Sequence, residues 1–357
     1  MQSNETILYV NLKKLEDNFN FLKSKLPKST KIIAVVKAYA YGMGDERIAK
    51  KLIDLGAEML WVADFEEGIR LRKKGINHPI VVANPGLKSL NEMIEHDLEP
   101  VIFNHHLLNL YINANRPINI HLKFNTGMNR FGFEADEVDN VIKTIQKNNH
   151  LKLNTVCSHL ACSNEESKDD FTLSQINCFR TISHKVNAIL DKDIPTHLFN
   201  STAVLRFKNQ ENYVRLGIGL FEGSTDENLK QIFEFKSTIS QVKHIKKGAR
   251  VGYNSSFIAK QDMTIGIVAV GYADGLNRKL GNGNGSVLIN KQSCSIIGEI
   301  SMDSFITDIS NLDVEVGQEV ELFSRNLSVS DLAKKSGTIS YELMATLNHR
   351  IKRVYIE

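Results

Sequence analysis

The sequence predicts an α/β architecture: an N-terminal (β/α)8 barrel of the TIM type, followed by a mostly β C-terminal domain. Three observations predict it. Over about the first 225 residues, eight short Val- and Ile-rich runs alternate with helix-like stretches. Runs buried on both faces and separated by helices read as parallel strands, and eight such units at this length read as a closed barrel. No G-x-G-x-x-G phosphate loop follows the first run, which disfavours the alternative of an open doubly wound sheet. After residue 230 the pattern changes to alternating apolar and polar segments broken by Gly and Asn, as in GNGNG at 281–285.

The expected barrel strands are KIIAVVK (31–37), EMLWVAD (58–64), PIVVAN (79–84), EPVIFN (99–104), INIHLKF (118–124), LNTVCSHLA (153–161), THLFNS (196–201) and VRLGIGLFE (214–222). Helical patterns such as DERIAKKLIDLGA, DFEEGIRLRKKG and FTLSQINCFRTISHKVNAIL lie between them, many opening near Asp or Ser as an N-cap should. The β domain is expected from FEFKSTISQVKHI, DMTIGIVAVGY, GSVLINKQSCSIIGEI, FITDIS and VEVGQEVELFS, with a short helical tail after it. The division is residues 1–229 for the barrel and 230–357 for the β domain.

Composition excludes several classes. Net charge is +3, and no basic run is interleaved with aromatics, so no nucleic acid partner is expected. No apolar run approaches the roughly 20 residues of a membrane-spanning helix, and the N-terminus does not read as a secretory signal. The four cysteines (Cys157, Cys162, Cys178, Cys294) form no C-x-x-C pair, which argues against a structural zinc site and fits a reducing cytoplasm. A cytoplasmic enzyme without a metal is expected.

In a parallel barrel the active site lies at the C-terminal ends of the strands. There the sequence places Lys37 at the end of strand one and Lys123 at the end of strand five, with Arg130 just beyond. Strand six carries His159, strand seven ends in Asn200 and Ser201, and strand eight starts with Arg215 and runs through Gly217. A lysine at an apolar rim near other cations has a lowered pKa and becomes nucleophilic. Ser201 and Gly217 fit a phosphate after strands seven and eight. Each residue alone also has a plain reading: Lys37 as a solvated strand end, Ser201 as a helix cap, His159 as a satisfied buried histidine, Arg130 and Arg215 as ion-pair partners, Asp303 as a turn residue. Together they point to a phosphorylated aldehyde cofactor, pyridoxal phosphate.

KIIAVVKAYAYGMG (31–44) resembles the cofactor-lysine motif of bacterial alanine racemases, usually AVVKANAYGHG. The resemblance extends along the chain through HLKFNTGMNRFG (121–132), SHLACSNE (158–165), FNSTAVL (199–205), VRLGIGLFEG (214–223), VGYNSSFIA (251–259), GYADG (271–275), ISMD (300–303) and ISYE (339–342). It implies fold type III and a homodimer with shared active sites, acting on a small amino acid and supplying D-alanine for peptidoglycan. Lys37 would carry pyridoxal phosphate as a Schiff base and serve the D face of the substrate. Tyr253, from the partner subunit, would serve the L face, linked to the cofactor by His159 and Arg215. Arg215 would face the pyridine nitrogen. Tyr41, Ser201, Gly217, Ile218 and Tyr341 would hold the phosphate, with Asn200 beside Ser201. Arg130 would meet the cofactor and, with the backbone at Met302, the substrate carboxylate. Lys123 matches a lysine carbamylated in many members. Tyr272, Tyr341 and Asp303 would form the entrance gate.

The chain departs from the family pattern at Tyr39 (usually Asn), Met43 (usually His), Asn125 (usually Asp), Phe221-Glu222-Gly223 (for Tyr-Gly) and Ser301 (usually Cys or a Ser-like residue). The Asn125 departure bears on Lys123 carbamylation. The alternative is a serine or broad-spectrum racemase of the same fold. A related barrel decarboxylase is disfavoured by Arg215, and a non-catalytic cofactor-binding barrel by the presence of the β domain and Tyr253.

Overall fold

Two compact units, each discontinuous in sequence, make up the fold seen in the computed structural model, which describes residues 5–208, 211–223 and 226–357. One unit takes in the described residues of Glu16–Ala40 and Asp45–Leu220; the other those of Met1–Leu15, Tyr41–Gly44 and Phe221–Glu357. The chain opens on strand β1 (Ile7–Asn11), which is not one of the expected barrel runs and belongs to the second unit.

The first unit is the barrel. Eight strands close on themselves in chain order: β2 (Lys31–Val35), β3 (Met59–Val62), β4 (Ile80–Val82), β5 (Glu99–Ile102), β6 (Ile118–Lys123), β7 (Leu151–Cys157), β8 (Thr196–Asn200) and β9 (Tyr213–Leu216). Every pairing in the ring is parallel, including β2 with β9. The strands β3, β4 and β5 are buried along their whole length, which is why they read as continuous apolar runs. Helices follow the strands with local start signals: Asp64 caps Phe65–Lys73 and Asn104 caps His105–Ala114, each side chain accepting a backbone N–H three residues on. Helix Asp45–Asp54 buries Ile48, Ala49 and Leu52 on one face and keeps Asp45 and Glu46 in its first turn.

Three strand ends differ from expectation. β2 stops at Val35, so Lys37 does not end a strand; it opens a helical turn, Lys37–Tyr41. β7 stops at Cys157, leaving His159 in the loop beyond. Arg215 lies inside β9 rather than at its start. A two-faced barrel strand ends where the chain must turn away, and hydrophobicity alone does not mark that point.

The second unit is built on β10 (Phe233–Ile245), β11 (Arg250–Val251), β12 (Phe257–Ile258), β13 (Met263–Val268), β14 (Ser286–Ile289), β15 (Gln292–Ile297), β16 (Phe305–Asp308), β17 (Glu319–Phe323) and β18 (Lys352–Ile356). β10 pairs with β1 and β17 through its first half and with β13 through its second, so the order β13-β16-β15-β14-β17-β10 closes on itself. A register shift between Ile239 and Gln241 separates the two halves. β1 also pairs in parallel with β18, so the first strand of the chain lies between β10 and the last. Sequence patterning could not supply that pairing, because β1 and β18 are far apart in the chain. No helix among the described residues is long and apolar enough to cross a membrane.

Candidate active site

Lys37 stands at the head of a left-handed turn. Ala38, Tyr39, Ala40 and Tyr41 all have positive φ (52°, 56°, 50° and 54°), a conformation that costs L-residues energy and persists only when its surroundings hold it. The clamp is Glu67. One carboxylate oxygen accepts the Ala38 N–H at 2.5 Å and the other the Ala63 N–H at 2.7 Å, so the carboxylate ties the turn to the end of β3. Sequence reasoning missed Glu67, although D-F-E-E at 64–67 carries the spacing of a capping box. Tyr39 sets its ring over Arg70 at 5.8 Å, and Arg70 is paired with the buried Asp45 at 2.5 Å. The bulky residue where the family has Asn thus braces the turn from the side.

The chain then enters the second unit, where its own atoms crowd Gly42 and Gly44. A Cβ at Gly42 would strike the Met344 carbonyl, and one at Gly44 the Tyr355 hydroxyl. Tyr41 packs on Phe221 with ring centroids 4.9 Å apart and on Tyr341 at 6.1 Å. Burial raises the Tyr41 phenol, and burial with Glu222 beside it pushes Tyr341 up to about 12, so both stay protonated donors at neutral pH.

Within the barrel unit, the cations Lys37, Lys123, Arg130 and Arg215 act electrostatically on one another and on His159. Desolvation lowers the Lys37 pKa, Arg130 and Arg215 lower it further, and Glu67 opposes them. Lys37 keeps its access to solvent, which tempers both the desolvation and the like-charge repulsion. Burial pushes Lys123 down to about 8, with Arg215, Arg130 and Lys37 adding to it. His159 is driven well below the usual histidine range by burial and by Arg215. This is the environment in which amines become nucleophiles and imidazoles stay neutral.

Ser201 does not cap its helix. Asn200 does, its Oδ1 accepting the Ala203 N–H at 2.9 Å and the Ser163 hydroxyl at 3.0 Å. The Ser201 hydroxyl accepts the Gly217 N–H at 2.9 Å, which leaves its own proton to donate. Arg215, read from sequence as a candidate ion-pair partner, pairs with no carboxylate among the described residues and gives an N–H to His159 Nδ1 at 3.0 Å. The Asn125 side chain explains its own departure. Its oxygen accepts the N–H groups of Gly127 (3.1 Å) and Asn129 (3.0 Å), while its amide donates to Asn129 (2.8 Å) and Glu134 (2.9 Å). An aspartate could not make those donations, so Asn125 folds the loop that ends in Arg130.

Tyr253, Tyr272, Met302 and Asp303 line an open cleft of ≈ 780 Å³ in the second unit. Tyr253 is 69% exposed, lifted by left-handed residues on both sides: Gly252 (φ 71°), Asn254 (56°) and Ser255 (50°). Tyr272 and Met302 are tied through backbone bonds, Tyr272 N–H to Ser301 O at 3.1 Å and Ala273 N–H to Met302 O at 3.0 Å. Asp303 pairs with Arg350 at 2.8 Å, and Ser301 closes its own turn through Ser304. Among the described residues, no cluster of His, Cys, Asp and Glu could hold a metal ion.

A closed parallel barrel that gathers Lys37, Lys123, Arg130, His159 and Arg215, followed by a closed β unit, is the architecture of a barrel enzyme with a C-terminal β domain. The N-terminal alanine racemase domain model matches residues 10–225 and the C-terminal alanine racemase domain model residues 232–355. The chain belongs to the alanine racemase family, isomerases that in general depend on pyridoxal phosphate. It is 34% identical to an alanine racemase of Fusobacterium nucleatum, with 98% of this chain and 99% of that protein covered. The Bacillus anthracis alanine racemase with bound L-Ala-P superposes with a TM-score of 0.93 at 29% identity, covering 100% of this chain and 96% of that one. The Bartonella henselae alanine racemase with covalently bound pyridoxal phosphate gives 0.88 at 26% identity, with 99% and 100% covered.

Proposed function

We propose that this chain interconverts L- and D-alanine with pyridoxal phosphate held on Lys37, supplying D-alanine for peptidoglycan. The observation that carries the reading is the left-handed turn that presents Lys37 among cations that lower its pKa. The residues present suit the cofactor: Ser201 retains a donor proton beside the Gly217 N–H, and Arg215 is a buried cation with no carboxylate of its own. When bound, the cofactor draws electrons from the α-carbon and makes its proton acidic.

The chain's residues then divide the work. Lys37 moves the proton on the D face and Tyr253 of the partner subunit on the L face, because inversion needs two proton carriers on opposite sides of one carbon. The exposure of Tyr253 supports its donation across a homodimer. Arg215 can only donate, so a ring nitrogen that faced it would stay unprotonated, which would disfavour transamination. His159 and Arg215 would link Tyr253 to the cofactor. Tyr41, Tyr341, Ser201 and the backbone at Gly217 and Ile218 would bind the phosphate, with Asn200 fixing the helix that carries Ser201. Arg130 and the Met302 backbone orient the substrate carboxylate, and Tyr272, Tyr341 and Asp303 narrow the entrance. Lys123, at about 8, holds enough neutral amine to add carbon dioxide. The amine nitrogen bonds to the carbon and loses a proton, and the resulting carbamate anion orients Arg130. The four free cysteines support a reducing, cytoplasmic setting.

The test is exchange in D2O. Purified protein with cofactor should convert L-alanine to α-deuterated D-alanine, and D- to L-, faster than it racemises serine. Absence of D-alanine, or a preference for serine, overturns the reading. Sedimentation should give a dimer, and variants Lys37→Ala and Tyr253→Phe, each inactive alone, should recover activity when mixed; no recovery removes the shared site.

A further inference from the structure

Arg215 is 5% exposed, and the groups that accept its hydrogen bonds are carbonyls and imidazole nitrogens, while the Glu211 carboxylate acts on its charge without an ion-pair contact. It donates to the carbonyls of Ser158 (2.7 Å), His197 (3.0 Å) and Leu198 (3.1 Å), and to the ring nitrogens His159 Nδ1 and His197 Nδ1. A buried charge without a paired opposite charge is expensive, which raises the question of where its compensation lies.

Beyond those contacts, a line of hydrogen bonds leads from Arg215 through the barrel interior to a second carboxylate. His197 Nε2 lies 2.9 Å from Thr155 Oγ1, Thr155 Oγ1 lies 2.7 Å from His121 Nδ1, and His121 Nε2 lies 2.8 Å from Glu99 Oε2. Glu99, His121, Thr155, His197 and Arg215 come one each from five consecutive strands, β5 to β9. Glu99 opens β5 at the N-terminal end of the barrel, where Asn119 (2.9 Å) and Asn154 (3.1 Å) also donate to it. All five side chains are buried.

With both imidazoles neutral, the two ends fix the direction of every bond. Arg215 has no acceptor, so His197 Nδ1 must accept, and the His197 proton sits on Nε2. That proton goes to Thr155, whose own hydroxyl proton is left for His121 Nδ1. His121 then carries its proton on Nε2, where the Glu99 carboxylate, which has no proton to give, accepts it. A reversed chain would set an N–H of His197 against the guanidinium.

We propose that Glu99 is a positioning residue for Arg215: acting through His121, Thr155 and His197, it fixes both imidazoles in the Nε2–H tautomer and holds the guanidinium as a donor at the far end of the relay. The relay itself is a property of the barrel interior. Its consequence for turnover rests on the alanine racemase reading.

The test has a spectroscopic arm and a kinetic arm. In uniformly ¹⁵N-histidine-labelled protein as purified, His121 and His197 should each show a protonated Nε2 and a bare Nδ1. A proton on Nδ1 of either ring overturns the proposal, whatever the substrate proves to be. Glu99→Gln should populate the other tautomer at His121 and lower kcat about tenfold with KM for alanine nearly unchanged. Thr155→Val should lower kcat similarly, Thr155→Ser should restore it, and the double variant should be no worse than Thr155→Val alone. Additive losses, or variants that lose only the amount of folded enzyme while kcat per cofactor site holds, would assign Glu99 a structural role and overturn the proposal. Should Glu99→Gln not fold, the wild-type tautomers and the Thr155 pair decide. Correct tautomers with no alanine turnover would instead overturn the functional reading alone.

Discussion

Both proposed proton carriers stand at the head of a left-handed turn, yet the two turns are held in different ways. After Lys37, four consecutive residues have positive φ, and the turn is clamped by the Glu67 carboxylate and braced by Tyr39 on Arg70. After Tyr253, Asn254 and Ser255 have positive φ, but the holding contacts are few: an Asn254 amide to Glu299 at 3.2 Å, with Arg278 on the same carboxylate at 2.5 Å. The first turn is held by side chains from helix Phe65–Lys73, Glu67 and Arg70. The second leaves its tyrosine 69% exposed, a side chain that its own surroundings do not finish. The difference teaches that strained backbone can be held by a dense set of contacts or by few.

The comparison can be broken from either side. Lys37→Ala should cost the most, a loss of racemisation of about 10³-fold or more, with no cofactor retained by mass spectrometry after borohydride reduction. Covalent cofactor in that variant would remove Lys37 from its role. Tyr253→Phe should cost about 10²- to 10⁴-fold in α-deuterium exchange from L-alanine and far less from D-alanine. Equal losses from both enantiomers would end the two-base division.

Smaller effects test the clamp. Glu67→Gln keeps one acceptor for two N–H groups, and leaving one of them unsatisfied should cost about 1–3 kcal/mol. The measurement is thermal unfolding together with amide exchange at Ala38. Unchanged protection there would show that the turn holds without the carboxylate. Arg130→Gln removes one of the cations acting on Lys37, so the Lys37 amine in cofactor-free protein should titrate at higher pH, read by competitive acetylation. A pKa that stays or falls would show that desolvation alone sets it. Asn125→Asp is the mildest. It brings a carboxylate against Glu134 and loses that donation, so stability should drop by about 1 kcal/mol at neutral pH. Like charge raises the carboxyl pKa values, so the deficit should shrink as pH falls through the carboxylate range.

Much of this molecule was legible before folding. Eight apolar runs broken by helical patterns named the barrel, because strands buried on two faces leave a continuous hydrophobic record. Lys37, Arg130 and Arg215 could be singled out as charges near the apolar runs, although Lys37 proved to follow its strand and Arg215 to lie inside one. Glu67 was not, because a carboxylate that accepts backbone N–H groups looks in sequence like any acid in a first helical turn. The relay was not either. Glu99, His121, Thr155 and His197 are spread over about 100 residues, and only barrel closure brings them together.

By itself, then, the sequence determined the strand and helix periodicities, the change of pattern after residue 230 and the family motifs. The tertiary structure decided the rest: the pairing of β1 with β18, the left-handed turn behind Lys37, the cap assigned to Asn200 rather than Ser201, and the line of hydrogen-bonded side chains between Arg215 and Glu99. The physical reason is range. Periodicity is written between neighbouring residues, whereas the cost of a buried charge or a strained turn is settled by groups that only the closed barrel brings within hydrogen-bond distance.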